Sequence, residues 1–182
     1  MISAREWYET FYGSYYGFPA IRQGKKVTEA EWTRIMKEGL LAAMGTKLGY
    51  TIARETLRVD QMWKMGGKLV VAIEHENWFS GFEKELANLC DVSAPLRVLI
   101  TYVANGDLNW RPYELAGRVK KYLDERQMQG EFLLLVSDED SDVWVAFSFD
   151  SKLVFEVAVL QPPRPGLKAA ETKRQVDIVR RS

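Results

Sequence analysis

The amino-acid sequence predicts a single α/β domain, a mixed sheet flanked by helices and closed by an antiparallel β-meander, and three observations carry that expectation. Helical and strand-like periodicities alternate along the chain. An almost wholly apolar run, Leu96 to Val103, lies between two helical segments, as expected of a strand buried on both faces. The last strand-like runs then follow one another with no helix between them. With 182 residues, 47% hydrophobic and 12% aromatic, the chain can close one sizeable core and is short for two. The domain is expected to span 1–160, with 1–27 as an aromatic N-terminal segment and 161–182 as a basic tail, disordered or a short helix.

Taken in order, Trp7, Phe11 and Tyr15, like Tyr8, Tyr12 and Tyr16, recur every four residues, so a helix gathers them into a broad stripe. Such a stripe packs against its own domain or a twin subunit, and a homodimer contact is one expectation it raises. Thr28 with Glu31 has the form of a capping box, and Trp32, Ile35, Met36, Leu40 and Ala43 follow at helical spacing, predicting a helix from about Glu29 to Thr46. β-formers in Tyr50 to Arg54 and Leu57 to Trp63, then Gly66-Gly67 and the apolar run Leu69 to Ile73, read as strands joined by tight turns. Ser80-Gly81-Phe82-Glu83 offers a second capping box, with Glu83 as the capping acid, for a helix ending near Asp91. After the strand from Leu96 to Val103, a helix is expected around Pro112 to Gln127, and strand–helix–strand order suggests a parallel crossover. Glu131 to Val136, Val143 to Phe149 and Lys152 to Leu160 form the meander, with Asp150-Ser151 as a two-residue turn.

Two scarcities exclude much chemistry. The chain has a single histidine, His75, and a single cysteine, Cys90, so a structural zinc site, a Ser-His or Cys-His hydrolase and an intrachain disulfide all lack their residues. Cys90 reads as a small buried thiol and His75 as a core or second-layer histidine. No apolar stretch approaches the roughly 18 residues of a membrane span, and the N-terminus has no basic region followed by an apolar one. The cytoplasm is the expected compartment. Lys plus Arg (25) balance Asp plus Glu (25), although six basic and two acidic residues fall between Gln161 and Ser182. The basic excess therefore sits in the tail.

Three carboxylates stand out by placement: Asp60 on the first arm of the Gly66-Gly67 hairpin, and Glu74 and Glu76 at the end of its second arm. Side chains alternate across a strand, so Glu74 and Glu76 share one face and His75 takes the other. Register decides whether Asp60 joins them; a slip of one residue, uncorrected by a bulge, sends it to the opposite face. Like charges directly opposed destabilise a sheet, and a cation among them relieves that. Magnesium suits such a place, because it takes one or two carboxylates and completes its shell with water and phosphate oxygens. Lys84 is expected in solvent and Glu85 on a solvated helix flank, from which it could reach the site. Asp138 to Asp142 reads as a solvated turn rather than a calcium loop.

Arg58-Val59-Asp60, then Leu69 to Asn77 with Glu74-His75-Glu76 at its end, then a helix, then Leu96 to Val103, together resemble the strand–strand–helix–strand core of the PD-(D/E)XK nuclease-like superfamily, with the helix from Glu29 preceding it. The resemblance covers 28–103. It implies a restriction-endonuclease-like fold in which Asp60 and Glu74 bind Mg²⁺ or Mn²⁺. In that family a lysine two positions after the second acid positions or activates water. Glu76 stands there instead, as in restriction endonucleases with an E-x-E pattern, and is expected to be a metal ligand or a water-orienting base. The expected function is hydrolysis of phosphodiester bonds in DNA, less readily RNA, with nucleic-acid contacts from the tail and Lys25-Lys26. The alternative keeps the fold without the chemistry, as a protein- or nucleic-acid-binding module; the missing lysine and neutral net charge favour it.

Overall fold

The computed structural model describes residues 2–19, 27–56, 58–77, 79–104, 106–138, 142–150, 155–161 and 177–180. Among the described residues, eight strands form one sheet in simple sequential order, β1 (Thr51–Thr56), β2 (Val59–Met65), β3 (Lys68–Glu76), β4 (Leu96–Val103), β5 (Glu131–Asp138), β6 (Trp144–Phe149), β7 (Phe155–Leu160) and β8 (Asp177–Arg180). β3, β4 and β5 run parallel, linked by the helices α4 (Phe82–Asp91) and α5 (Arg111–Glu125); every other pairing is antiparallel. The protein is thus α/β with a mixed sheet. Lys25-Lys26 and most of the segment from Asp138 to Asp142 lie outside the described residues.

One face of the sheet packs against the N-terminal helices. α1 (Ala4–Gly17) begins with a capping box, in which Ser3 Oγ accepts from the Glu6 N–H and the Glu6 carboxylate accepts from the Ser3 N–H at 2.8 Å. Both aromatic stripes face inward: Trp7, Tyr8, Phe11, Tyr12, Tyr15 and Tyr16 are all buried, with Phe11 and Tyr15 edge-on to Trp144 of β6. The stripe is therefore spent on its own core. Thr28 and Glu31 form the expected capping box ahead of α2 (Glu29–Arg34). The predicted helix is present, but Ile35–Leu41 winds as a π-helix before α3 (Ala42–Lys47) resumes regular geometry. Gly45 lets α3 approach the sheet, because a Cβ there would meet Ile52 Cδ1 at 2.5 Å and Trp63 Cε2 at 2.8 Å.

The opposite face is covered by α4 and α5, whose Phe82, Leu86, Leu89, Leu115, Val119 and Leu123 pack on Ala72, Leu99, Leu134 and Phe147. β4, buried along its whole length, is the strand both layers share. The second capping box does not form. Gly81 is the N-cap of α4 without a side-chain cap, a 3₁₀ turn (Phe79–Gly81) precedes it, and Glu83 pairs instead with Arg118 of α5 at 3.0 Å. Cys90 is only half-buried, although burial raises its thiol to about 11. Phe149 pairs with Phe155 where β6 and β7 meet, and Ser151 of the turn expected at Asp150-Ser151 lies outside the described residues. Asp177–Arg180 adds an eighth strand beside β7, where the sequence suggested only a tail.

Arg97 is a buried charge of this core. It is 5% exposed, and its guanidinium donates to the carbonyl oxygens of Leu89 at 3.1 Å, Val92 at 3.0 Å and Gln129 at 2.8 Å. The first two lie where α4 ends and also accept the backbone N–H groups of Val92 and Ala94, so the arginine adds a charged donor to the C-terminal end of α4. Arg97→Met removes these charge-assisted bonds and takes from the Gln129 carbonyl oxygen its arginine donor. We expect about 3 kcal/mol of lost stability, read from the urea midpoint of unfolding, with an unchanged m-value.

Candidate functional site

The site begins with the β2–β3 hairpin. Gly66 and Gly67, at φ 57° and 78°, form its two-residue turn and bring Met65 opposite Lys68. Continued unchanged, that register would set Asp60 opposite Ile73. A bulge between Trp63 and Lys64 shifts it by one residue, so Trp63 pairs with Val71, Met62 with Ala72 and Gln61 with Ile73. The next position along this register sets Asp60 opposite Glu74. The two acids meet: the Asp60 N–H donates to Glu74 Oε2 at 3.3 Å, and Asp60 Oδ2 accepts from the His75 N–H at 2.9 Å.

Glu74 lies on the face covered by α4 and is 2% exposed. From α4, Glu85 is directed at it, itself only 8% exposed, so the expectation of a solvated flank is corrected. The apolar face of α4 was correctly read, but Glu85 borders it on the side turned toward the end of β3. Lys84 stands in solvent as expected and bonds Glu85 Oε1 at 2.9 Å, while Asn88 donates to Glu85 Oε2 at 2.8 Å. Burial pushes the Glu85 carboxyl up, and the bonds from Lys84, Glu74 and Asn88 outweigh it, leaving it below its ordinary value. Glu74 goes the other way. Burial first, then the Asp60 charge and its contacts with Glu85, raise its carboxyl far above the ordinary range. Glu74 Oε1 is buried with no hydrogen-bond partner. A proton, a water or a cation would satisfy such an atom.

Glu76 shares the face of Glu74, as strand alternation requires, but is half-buried and leans onto Gly81, where a Cβ would meet its carboxyl carbon at 2.6 Å. Gly81 is the residue that makes room for it. His75 points to the opposite face, buried beside Tyr102, with Nε2 and the Tyr102 hydroxyl 3.1 Å apart. Trp32 Nε1 donates to that same hydroxyl at 2.8 Å. Burial, and secondarily the charge of Lys37, lowers the imidazole to about 3, so it is neutral and structural at physiological pH.

Sequence reasoning missed Lys37. Its Nζ lies 2.6 Å from Asp60 Oδ1, from a residue flanking the apolar stripe of the helix. The signal that could have found it, a lysine beside Met36 and ahead of Leu40, is common on any amphipathic helix, and the π-helical turn that presents it has no sequence signature. Among the described residues, no group of three or more His, Cys, Asp or Glu side chains is arranged to hold a metal ion, and no helix is long and apolar enough to cross a membrane. No protein-family model matches the chain, and no curated protein is significantly similar to it.

Proposed function

We propose that the protein is a Mg²⁺-dependent nuclease hydrolysing phosphodiester bonds in DNA, with RNA a lesser substrate, and that α2 to β4 is a restriction-endonuclease-like core of the PD-(D/E)XK type. The observation that carries this reading is Glu74 Oε1, a buried carboxylate oxygen without a hydrogen-bond partner, beside a second acid across the hairpin. Burying an acid against an acid is costly unless a proton or a cation lies between them. Two carboxylates suit Mg²⁺ or Mn²⁺, whose remaining positions go to water and phosphate oxygens; a full protein cage is not required. Asp60 and Glu74 would hold the ion, with Glu76 a further ligand or water-orienting base. An ion bound there would polarise the phosphoryl oxygen, lower the pKa of the attacking water and offset charge on the leaving oxygen. The chain's own contribution is geometric: the bulge brings Asp60 to Glu74, the His75 N–H fixes the Asp60 carboxylate, and α4 sets Glu85 beside Glu74.

A second reading, an inactive nuclease-fold protein that binds protein or nucleic acid, is favoured by Glu76 in place of the motif lysine and by Lys37 on Asp60. Incubating the wild type and the Asp60→Ala, Glu74→Ala double variant with plasmid and single-stranded DNA in Mg²⁺ or Mn²⁺ separates the two. Cleavage by the wild type alone supports the nuclease. DNA retained in a gel by both proteins and cut by neither supports the binding module.

A further inference from the structure

The pair between Lys37 and Asp60 is more constructed than a surface ion pair. Its side chains are 27% and 19% exposed, and the lysine belongs to the π-helical turn Ile35–Leu41. Turns of this kind interrupt the regular ladder and recur at functional sites. Here the widened turn is clamped by the strand that bears Asp60. Gln61, 1% exposed, donates from Nε2 to the Lys37 carbonyl oxygen, and Trp63 Nε1 donates to Gln61 Oε1 at 3.1 Å. A buried chain of two side chains thus fixes the backbone of Lys37, which reaches Asp60. The carboxylate does not depend on that lysine for its orientation, because its other oxygen is held by the His75 N–H. Lys37 also neutralises only one acid of the pair; Glu74 Oε1 is left without a partner.

We propose that Lys37 is a displaceable internal cation. It holds Asp60 when no metal is bound, yields when a divalent cation takes Asp60 and Glu74, and then contacts the substrate's phosphate oxygens as the positive group that position 76 does not supply. A lysine suits this exchange because its ammonium is a point charge on a flexible stem. The assignment rests on the nuclease reading above.

The test titrates Mn²⁺ into the wild type, Lys37→Met and Lys37→Arg, and then measures single-turnover DNA cleavage at saturating Mn²⁺. Lys37→Met, freed of the competing charge, is expected to bind Mn²⁺ about tenfold more tightly and to cleave at least about a hundredfold more slowly. Lys37→Arg keeps the wild-type Mn²⁺ affinity. A purely structural lysine gives the opposite sign, with weaker Mn²⁺ binding and a lower melting temperature in Lys37→Met. If Lys37→Met does not fold, Lys37→Gln carries the same expectation. Mn²⁺ affinity no higher than wild type, or undiminished cleavage, overturns the role of Lys37 while wild-type Mn²⁺ binding and cleavage leave the nuclease reading standing. A wild type that takes up no Mn²⁺ overturns both.

Discussion

Asp60→Asn is expected to reduce metal-dependent DNA cleavage on the order of a thousandfold or more without unfolding the protein. The amide keeps the oxygen that accepts from the His75 N–H, so the hairpin end stays in place. What it loses is the charge that draws a divalent ion, and a neutral amide is a poor partner for Mg²⁺. Lys37 then faces no carboxylate at Oδ1, which further disfavours a cation. Circular dichroism and a thermal melt establish that the variant is folded, and cleavage of plasmid in Mn²⁺ reads the effect. Retained cleavage would exclude Asp60 from the chemistry.

The second large effect concerns Glu74. Its folded carboxyl is raised above the ordinary carboxylate value, chiefly by burial and then by Asp60, so the folded protein holds a proton that the unfolded chain releases near pH 4.5. Stability from this group therefore falls as pH rises through that value, by up to about 1.4 kcal/mol per pH unit while the folded group stays protonated. Glu74→Gln removes the ionisable group and nearly keeps the shape. It should stabilise the metal-free protein by about 2–4 kcal/mol at pH 7.5 and by little at pH 4.5. His75 acts in the other direction and in another window: its folded value is depressed to about 3, so its contribution is present above about pH 6.5 and lost as pH falls toward 3. Urea melts of both proteins between pH 6.5 and 8.5 isolate the Glu74 effect. Mn²⁺ should narrow that difference, stabilising the wild type by about 2.7 kcal/mol at a hundredfold excess over its Kd and leaving Glu74→Gln unmoved. A metal-free Glu74→Gln protein less stable than the wild type at pH 7.5 would mean that Glu74 makes favourable contacts there as an anion.

The order of elements was readable because periodicity reports which side of a segment is buried. The wholly apolar run became β4, and the capped run after Thr28 became a helix on the sheet. Alternation correctly put Glu74 and Glu76 on one face and His75 on the other. Sequence left the facing of Asp60 open because it turns on the bulge at Trp63/Lys64, which trades small backbone energies against packing on both faces. Glu85 was misread for a related reason. A helical wheel separates apolar from polar flanks but does not say which flank meets the end of a neighbouring strand. The box at Ser80 to Glu83 failed because a 3₁₀ turn occupies the place of the cap and Arg118, distant in sequence, competes for Glu83. Lys37 was hidden twice over, by the π-helical turn and by a partner on another element.

The central claim is that Asp60 and Glu74 together form a divalent cation site, and isothermal titration of Mn²⁺ tests it most directly. Titration of the wild type and of the Asp60→Ala, Glu74→Ala variant in two buffers of different ionisation enthalpy should show saturable binding to the wild type alone. That binding should release about one proton, the one Glu74 holds when no metal is bound. Equal binding to both proteins, or none to the wild type with or without DNA, would contradict the account.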